Sequence, residues 1–368
     1  MEREVFGRYE LVERIGVGGM AEVFKAVQRG VAGFERVVAI KRILPSIAAD
    51  PEIVRMFIEE AKLAVQLSHA GIAQVFDLGR VGDAYFIAME YVEGASLLAL
   101  WERWTARGAR LPLAAVCHIV SQVADALHYA HFAQDGAGRP LGIIHRDVSP
   151  GNVLISLGGE VKVIDFGLAK AENRVSQTGD GIVKGKLAYL SPEQAHGRPI
   201  DRRSDIFSLG VCAWELLTGR RAFKRDDDRE TVLAIRRGAI DPPSRFAPVP
   251  PALERIVMRT LAPSLADRYR TALELRDDLE AFVRAAQLPF GKRELAALVR
   301  ETFPERFAAD EPAFALVREK RPASSDAITL DEELEATDPV IDLVKHDPFR
   351  HDAADTEPNI VVPHERPR

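Results

Sequence analysis

The sequence predicts an α+β chain of two lobes, a small β-rich lobe carrying one helix and then a larger, mainly helical lobe. Three observations lead there. Short β-rich runs punctuated by glycine occupy Tyr9 to about Ile43, helical periodicity follows from Pro51 to Leu67, and strand-like runs resume to about Val92. From Leu97 to about Val283 the pattern is mainly helical, interrupted by a Gly- and Asp-rich stretch between Gly142 and Gly185. The length of 368 residues suits one two-lobed unit with appendages. The expected organisation is an N-terminal extension over 1–8, the first lobe and a connecting hinge over 9–94, the second lobe over 95–285, a helical extension over 286–306 and an acidic tail over 307–368.

Composition narrows the function classes. With 47% hydrophobic and 28% charged residues the chain reads as globular, and a net charge of −6 supplies no basic footprint for nucleic acid. Phe307 to Arg368 carries 15 acidic against 7 basic residues, a net of −8 that leaves the remainder at +2, and its fading periodicity predicts disorder there. Cys117 and Cys212 both lie in apolar helical runs, as small core residues do, which fits a reducing cytoplasm. The start has no apolar leader core, and no apolar run approaches the roughly 18 residues of a membrane helix, so neither secretion nor membrane insertion is expected.

Within the first lobe, the run from Ile15 through Gly16, Gly18 and Gly19 to Val23 lies between two strand-like segments. Glycine there lets backbone approach a phosphate without Cβ interference. Dinucleotide-binding folds and P-loops need a helix after such a run, and a strand follows here. The next strand, Val37 to Lys41, puts Ala39 and Lys41 on one face, a small residue beside a cation. Asp50 caps the following helix and Pro51 opens it. Helical spacing places Glu60 inside the stripe of Ile53, Met56, Phe57, Leu63, Ala64 and Leu67, with Glu59 off it. An inward carboxylate needs a partner, and Lys41 is the available cation.

In the second lobe, Val153 to Ile164 reads as a hairpin with a two-residue Gly158-Gly159 turn, a register that sets Asn152 opposite Asp165. Paired oxygen ligands suit a hard cation such as Mg²⁺. Asp147, shortly before, adds a carboxylate able to orient a hydroxyl and take its proton.

These residues, in this order and spacing, resemble the protein kinase family. Gly16-x-Gly18 is similar to its glycine-rich loop, Val38-Ala39-Ile40-Lys41 to its nucleotide lysine strand, and Glu60 to the carboxylate of its mobile helix. His145-Arg146-Asp147 with Asn152 resembles the catalytic loop, Asp165-Phe166-Gly167 the metal-binding turn, and Ser191-Pro192-Glu193 the close of the activation segment. The likeness covers about Tyr9 to Val283, and its variants look most like bacterial serine/threonine kinases. It implies a two-lobed kinase fold and transfer of the γ-phosphoryl group of Mg²⁺·ATP to protein Ser/Thr hydroxyls, the chain's own included. ATP would lie over Ile15, Gly16 and Gly18, its adenine between Val23, Ala39 and Leu154. The backbone of Glu90 to Val92 would bond the base, and Met89 would guard the back pocket. Lys41 would meet the phosphates, Asn152 and Asp165 the Mg²⁺, and Asp147 the substrate hydroxyl. The likeness also implies an Arg268–Glu193 pair, a buried helix over Ile206–Leu217 begun by Asp205, and regulation by phosphate at Ser176 or Thr178.

Three positions depart from the family pattern. Ala21 replaces the third glycine, Ser149 stands in place of a γ-phosphate lysine, and Lys186 in place of a threonine of the substrate-docking segment. Lys186 is therefore a candidate to return the cation that Ser149 removes. Relatives preferring arginine before the target hydroxyl carry acids at the positions of Ser96 and Gly151, and both are uncharged here. Two other readings are a nucleotide-binding module without catalysis and a small-molecule kinase of similar fold. Lys41, Glu60, Asp147, Asn152 and Asp165 together weigh against the first, and the segment before Ser191-Pro192-Glu193 against the second.

Overall fold

The structure, a computed structural model, describes residues 4–166, 186–238 and 240–307; of Ala32, Glu60 and Lys186 it describes the backbone alone. The first lobe is a six-stranded antiparallel sheet ordered β1-β2-β3-β4-β6-β5. Its strands are β1 (Glu4–Phe6), β2 (Tyr9–Val17), β3 (Ala21–Arg29), β4 (Glu35–Ile43), β5 (Val75–Val81) and β6 (Ala84–Glu90). Glu4–Phe6, expected as extension, pairs with Leu11 to Tyr9 and belongs to the sheet. Both faces of the sheet are covered. Ile43, Leu78 and Ile87 pack against the helix α2 (Pro51–Ala64), while Phe6, Tyr9, Ile40 and Phe86 form a second apolar layer behind. Burial on both faces explains why β4 reads Val-Val-Ala-Ile and does not alternate with polar residues.

The helix α2 starts as the sequence predicts, with Asp50 accepting the amides of Glu52 and Ile53 and Pro51 at its first position. Its fully buried face is Ile53, Val54, Phe57, Ile58 and Ala61, roughly a quarter turn from the predicted stripe. Met56, Leu63 and Ala64 are only partly buried. The periodicity averages two apolar contacts, one with the sheet and one toward a cavity that Ala64 and Leu67 line with Met89 and Phe166. A four-residue turn of helix, α1 (Pro45–Ala48), precedes α2.

The second lobe contains a small sheet, β7 (Gly94–Ser96), β8 (Val153–Ser156) and β9 (Val161–Val163). Because Gly94 pairs with Ser156, the second lobe begins one residue earlier than expected. Its helices are α3 (Leu97–Ala106), α4 (Leu113–His131), α5 (Pro192–Ala195), α6 (Arg203–Thr218), α7 (Asp228–Arg237), α8 (Pro251–Thr260), α9 (Ala272–Ala285) and α10 (Lys292–Thr302). In α6 every residue from Ser204 to Thr218 is buried, so it is the axis on which the lobe assembles.

The β8–β9 hairpin differs from its predicted register by one residue. Val153 pairs with Val163 and Ile155 with Val161, and the Ile164 amide bonds the Asn152 carbonyl, so Asn152 faces Ile164 and not Asp165. The four valine and isoleucine side chains are buried together, and the predicted register would have put half of them on the opposite face. The turn is a three-residue loop closed by Gly159 in the left-handed region (φ 80°). A Cβ at Gly159 would also lie 2.0 Å from the Lys292 carbonyl, where α10 begins.

Candidate active site

The site lies where β2, β3, β4 and β6 meet the loops around β8 and β9. Strand register carries its upper wall: Gly16 pairs with Val23, Val23 with Lys41, and Ala39 with Met89. Ala39 and Met89 are buried, Val23 and Leu154 partly so, as walls of a cleft are. Ile15 falls at a register break between Arg14 and Gly16 and is 46% exposed, an outward bulge over the cleft. At Gly16 and Gly18 an added Cβ would make only ordinary contacts, at 3.8 and 3.5 Å, and neither has a positive φ. Among the described residues nothing requires glycine at either position, which suits a loop kept low for something lying against it. At the hinge, the Glu90 amide is committed to the Gln74 carbonyl at 2.8 Å, and the Glu90 carboxylate pairs with Lys162 at 2.9 Å. Val92 makes no backbone hydrogen bond among the described residues, so its N–H and C=O remain available at the cleft edge.

Lys41 is 4% exposed and holds Asp165 at 2.8 Å across the cleft floor. The sequence argument paired Lys41 with Glu60, whose side chain lies outside the described residues. Asp165 sits at φ 63°, and Arg146, beside the proposed base, at φ 68°. Strained non-glycine backbone gathers at sites where the surroundings over-determine it.

Those surroundings are explicit. Asn152 donates its amide to the Asp147 carboxylate and to the Asp147 carbonyl, both at 2.8 Å. His145 is fully buried; its Nδ1 accepts the Asp147 amide at 3.3 Å, so its Nε2 donates to the Ile164 carbonyl at 2.9 Å. That bond ties the loop of Asp147 to the strand end carrying Asp165. Beneath them Asp205 accepts the His145 and Arg146 amides, each at 2.8 Å, and the ring of His131 at 2.7 Å. Sequence reasoning placed Asp205 in the buried helix and missed this anchoring role. His131 was missed altogether, since it sits in an apolar helix with no local signal.

The expected Arg268–Glu193 pair is present at 2.8 and 3.0 Å, with Ser204 donating to the same carboxylate at 2.6 Å. Ser191 and Gln194 form a capping box at the start of α5, and Gln194 donates to the Arg146 carbonyl at 2.9 Å. The helix α5 is thereby fastened to the loop of Asp147.

These buried carboxylates make stability pH-dependent. Burial opposes the charge of Asp205, but His131, His145 and the Arg146 amide outweigh it and hold its carboxyl below the usual range. At Glu193 burial is likewise outweighed by the bonds from Arg268 and Ser204. A depressed folded-state pKa contributes stability above the unfolded value, about 4, that is lost as pH falls through the folded one. The contribution of these two carboxylates to stability should therefore hold on acidification to about pH 4 and be lost below it, so the melting temperature should fall there. A melting curve unchanged down to pH 3 would contradict these assignments.

The donors fit a nucleotide and a hard cation. The Asn152 bonds use Nδ2 and leave Oδ1 available, and Asp165 adds a carboxylate, donors of the kind that would suit a hard cation. Lys41, paired with Asp165, is the buried cation beside these donors. Ser149 is buried at the head of the turn that carries Asn152. Lys186 opens the turn Lys186–Tyr189, and its side chain lies outside the described residues, as do Gly167, Ser176, Thr178 and the tail from Ala308.

Comparison with known proteins gives the same reading. Residues 9–274 match the protein kinase domain. The chain is 41% identical over 301 residues to the tyrosine-protein kinase MasK of Myxococcus xanthus, covering 82% of this chain and 47% of that one. It is 38% identical over 287 residues to the serine/threonine-protein kinase PrkC of Bacillus subtilis, covering 77% and 41%. Among solved structures, the PknI kinase domain of Mycobacterium tuberculosis is similar at a TM-score of 0.58 and 30% identity, over 77% of this chain and 98% of that one. The chain spans about half the length of the curated relatives it matches.

Proposed function

The chain belongs to the protein kinase family, and on that premise we propose that it transfers the γ-phosphoryl group of ATP to serine and threonine hydroxyls of proteins, itself included, in bacterial signalling. The observation that carries this reading is the joined constellation of Lys41–Asp165 and Asp147–Asn152, with Asp205 locking the loop beneath. Lys41 neutralises the nucleotide phosphates, Asp147 orients the incoming hydroxyl and takes its proton, and Asn152 holds Asp147 in place. Asn152 Oδ1 and Asp165 would hold Mg²⁺, which when bound neutralises charge on the phosphates. Glu60 is proposed to steady Lys41. Among the described residues no helix is long and apolar enough to cross a membrane. Cytoplasmic location and the absence of nucleic-acid binding belong to the proposal and rest on composition. The test is incubation of the purified chain with γ-labelled ATP and Mg²⁺, alongside Asp147→Asn; self-labelling that the variant lacks is expected, and equal labelling of both would refute it.

Hydroxyl specificity is a sharper question, because one relative is named a tyrosine kinase and Ser149 and Lys186 depart from the serine/threonine pattern. Phosphoamino-acid analysis should return phosphoserine or phosphothreonine. We place Lys186 as the cation that replaces the one missing at Ser149, since a cation in a water-poor site stabilises transferring charge wherever its stem begins. Lys186→Thr should lose most turnover, and adding Ser149→Lys should restore part of it. Full turnover in Lys186→Thr alone would end that idea.

Regulation is proposed through phosphate on Ser176 or Thr178, which brings roughly −2 charge and strong acceptors for the Arg146 guanidinium. Mass spectrometry of the active enzyme should find one of them modified; neither modified at full activity would count against it.

A further inference from the structure

Beside the docking segment lies a groove lined by Leu187 and Ala188 on one side and by Lys224, Arg225 and Thr231 on the other. The segment is firmly placed: the Tyr189 carbonyl accepts Ser208 at 2.7 Å, and Tyr189 bonds the buried Glu215 at 2.8 Å. Farther along α7, Arg236 reaches the Ala195 carbonyl of α5 at 2.7 Å. Thr231 accepts the Arg225 amide at 2.9 Å and so fixes the loop that carries both cations.

The charges in this groove are unequally employed. Asp226 and Asp228 also line it; Asp228 lies in the first turn of α7, where carboxylates answer the helix dipole, beside the cap Asp227, and Asp226 is exposed just before that cap. Lys224 and Arg225 have no such duty. Both are exposed, and neither makes an ion pair among the described residues; Arg225 Nη1 only turns back to the carbonyls of Ala222 and Lys224. By contrast Arg221 pairs with Glu215 at 3.1 Å and Arg268 with Glu193 at 2.8 Å. Two unengaged cations beside the segment that receives the substrate suit a substrate carboxylate.

The chain itself supplies such a substrate. Its acidic tail repeats one short pattern, Thr337-Asp338-Pro339-Val340-Ile341 and Thr356-Glu357-Pro358-Asn359-Ile360, a threonine followed at once by an acid and a proline. The C-terminal extension fixes where the tail begins. Trp104 bonds Thr302 at 2.9 Å, Lys292 pairs with Glu160 at 2.6 Å, and Arg306 donates to the Gly94 carbonyl beside the hinge. From Phe307, the 30 residues to Thr337 can span at most about 100 Å, enough to reach the chain's own cleft.

Resting on the kinase reading above, we propose that the Lys224–Arg225 groove selects hydroxyls followed directly by a carboxylate, and that Thr337 and Thr356 of this chain are substrates of that class. In the step, threonine Oγ1 forms a bond to the γ-phosphorus of ATP while the bond from that phosphorus to the β–γ bridging oxygen breaks. The hydroxyl proton passes to Asp147, and ADP leaves with the bridging oxygen.

The test compares two peptides of residues 330–344, one native and one with Asp338→Asn, on the full chain and on a Lys224→Glu/Arg225→Glu variant. Mass spectrometry of the full chain after reaction with ATP and Mg²⁺ accompanies it. The wild type should favour the native peptide by about fivefold or more in kcat/KM, as two partly exposed charge contacts allow. The variant should lose that preference while still turning over the Asp338→Asn peptide, which also shows that it is folded. Phosphate should appear on Thr337 and Thr356 of the wild type and fall in the variant. Equal use of both peptides by the wild type, or a preference that survives in the variant, overturns the groove assignment and leaves the kinase reading standing. Absence of any label on peptides and chain overturns both, and so is told apart from the first outcome.

Discussion

Asp147→Asn should lower phosphotransfer by about 10²- to 10⁴-fold and leave the melting temperature and nucleotide binding near those of the wild type. The carboxylate is held by Asn152, whose amide reaches it at 2.8 Å, and the Asp147 amide rests on the buried ring of His145. An asparagine of the same shape keeps an oxygen for the Asn152 donor and preserves the loop. What it loses is the group proposed to accept the hydroxyl proton. Asp147 is only partly buried and lies outside the apolar core, so loss of its charge is expected to spare the fold. The measurement is steady-state transfer on a peptide substrate beside thermal melting and ATP titration. A variant within a few-fold of wild-type kcat would remove Asp147 from the role of base; a lost melting transition would mean that its charge serves the fold as well.

Arg268→Ala should cost about 3–5 kcal/mol, because it strands the Glu193 carboxylate in the interior. In a domain of this size that corresponds to a fall of roughly 5–15 °C in melting temperature. Arg268 is 1% exposed and ties together three carbonyls, those of Ala262, Pro263 and Arg203, besides Glu193. The loss should spread to activity, since α5 carries Glu193 next to Gln194, whose amide holds the Arg146 carbonyl. Replacing both partners by apolar residues, Arg268→Met with Glu193→Leu, should recover much of the stability, because no charge is then left buried without a partner. Melting curves of the single and double variants decide the matter, and a single variant melting within about 2 °C of wild type would show the pair to be dispensable.

The sequence by itself determined the two-lobed architecture and the order of the chemical groups. Both are written in local signals: strand and helix periodicities, the Asp50–Pro51 helix start, and the spacing of Lys41, Asp147, Asn152 and Asp165 along short motifs. Tertiary structure decided what local signals average away. The face that α2 buries depended on the sheet against which it packs, the β8–β9 register on which pairs of valine and isoleucine meet, and the place of Glu4–Phe6 on an open sheet edge. The ion pair that holds Lys41 was decided the same way, since Asp165 lies more than a hundred residues on. So was the anchoring of the catalytic loop, for Asp205 and His145 are 60 residues apart and Asp205 and His131 are 74 apart. A carboxylate that accepts two backbone amides and a buried ring has no fixed spacing to its partners. Burial demands that its bonds be satisfied, and only the packed fold settles by whom.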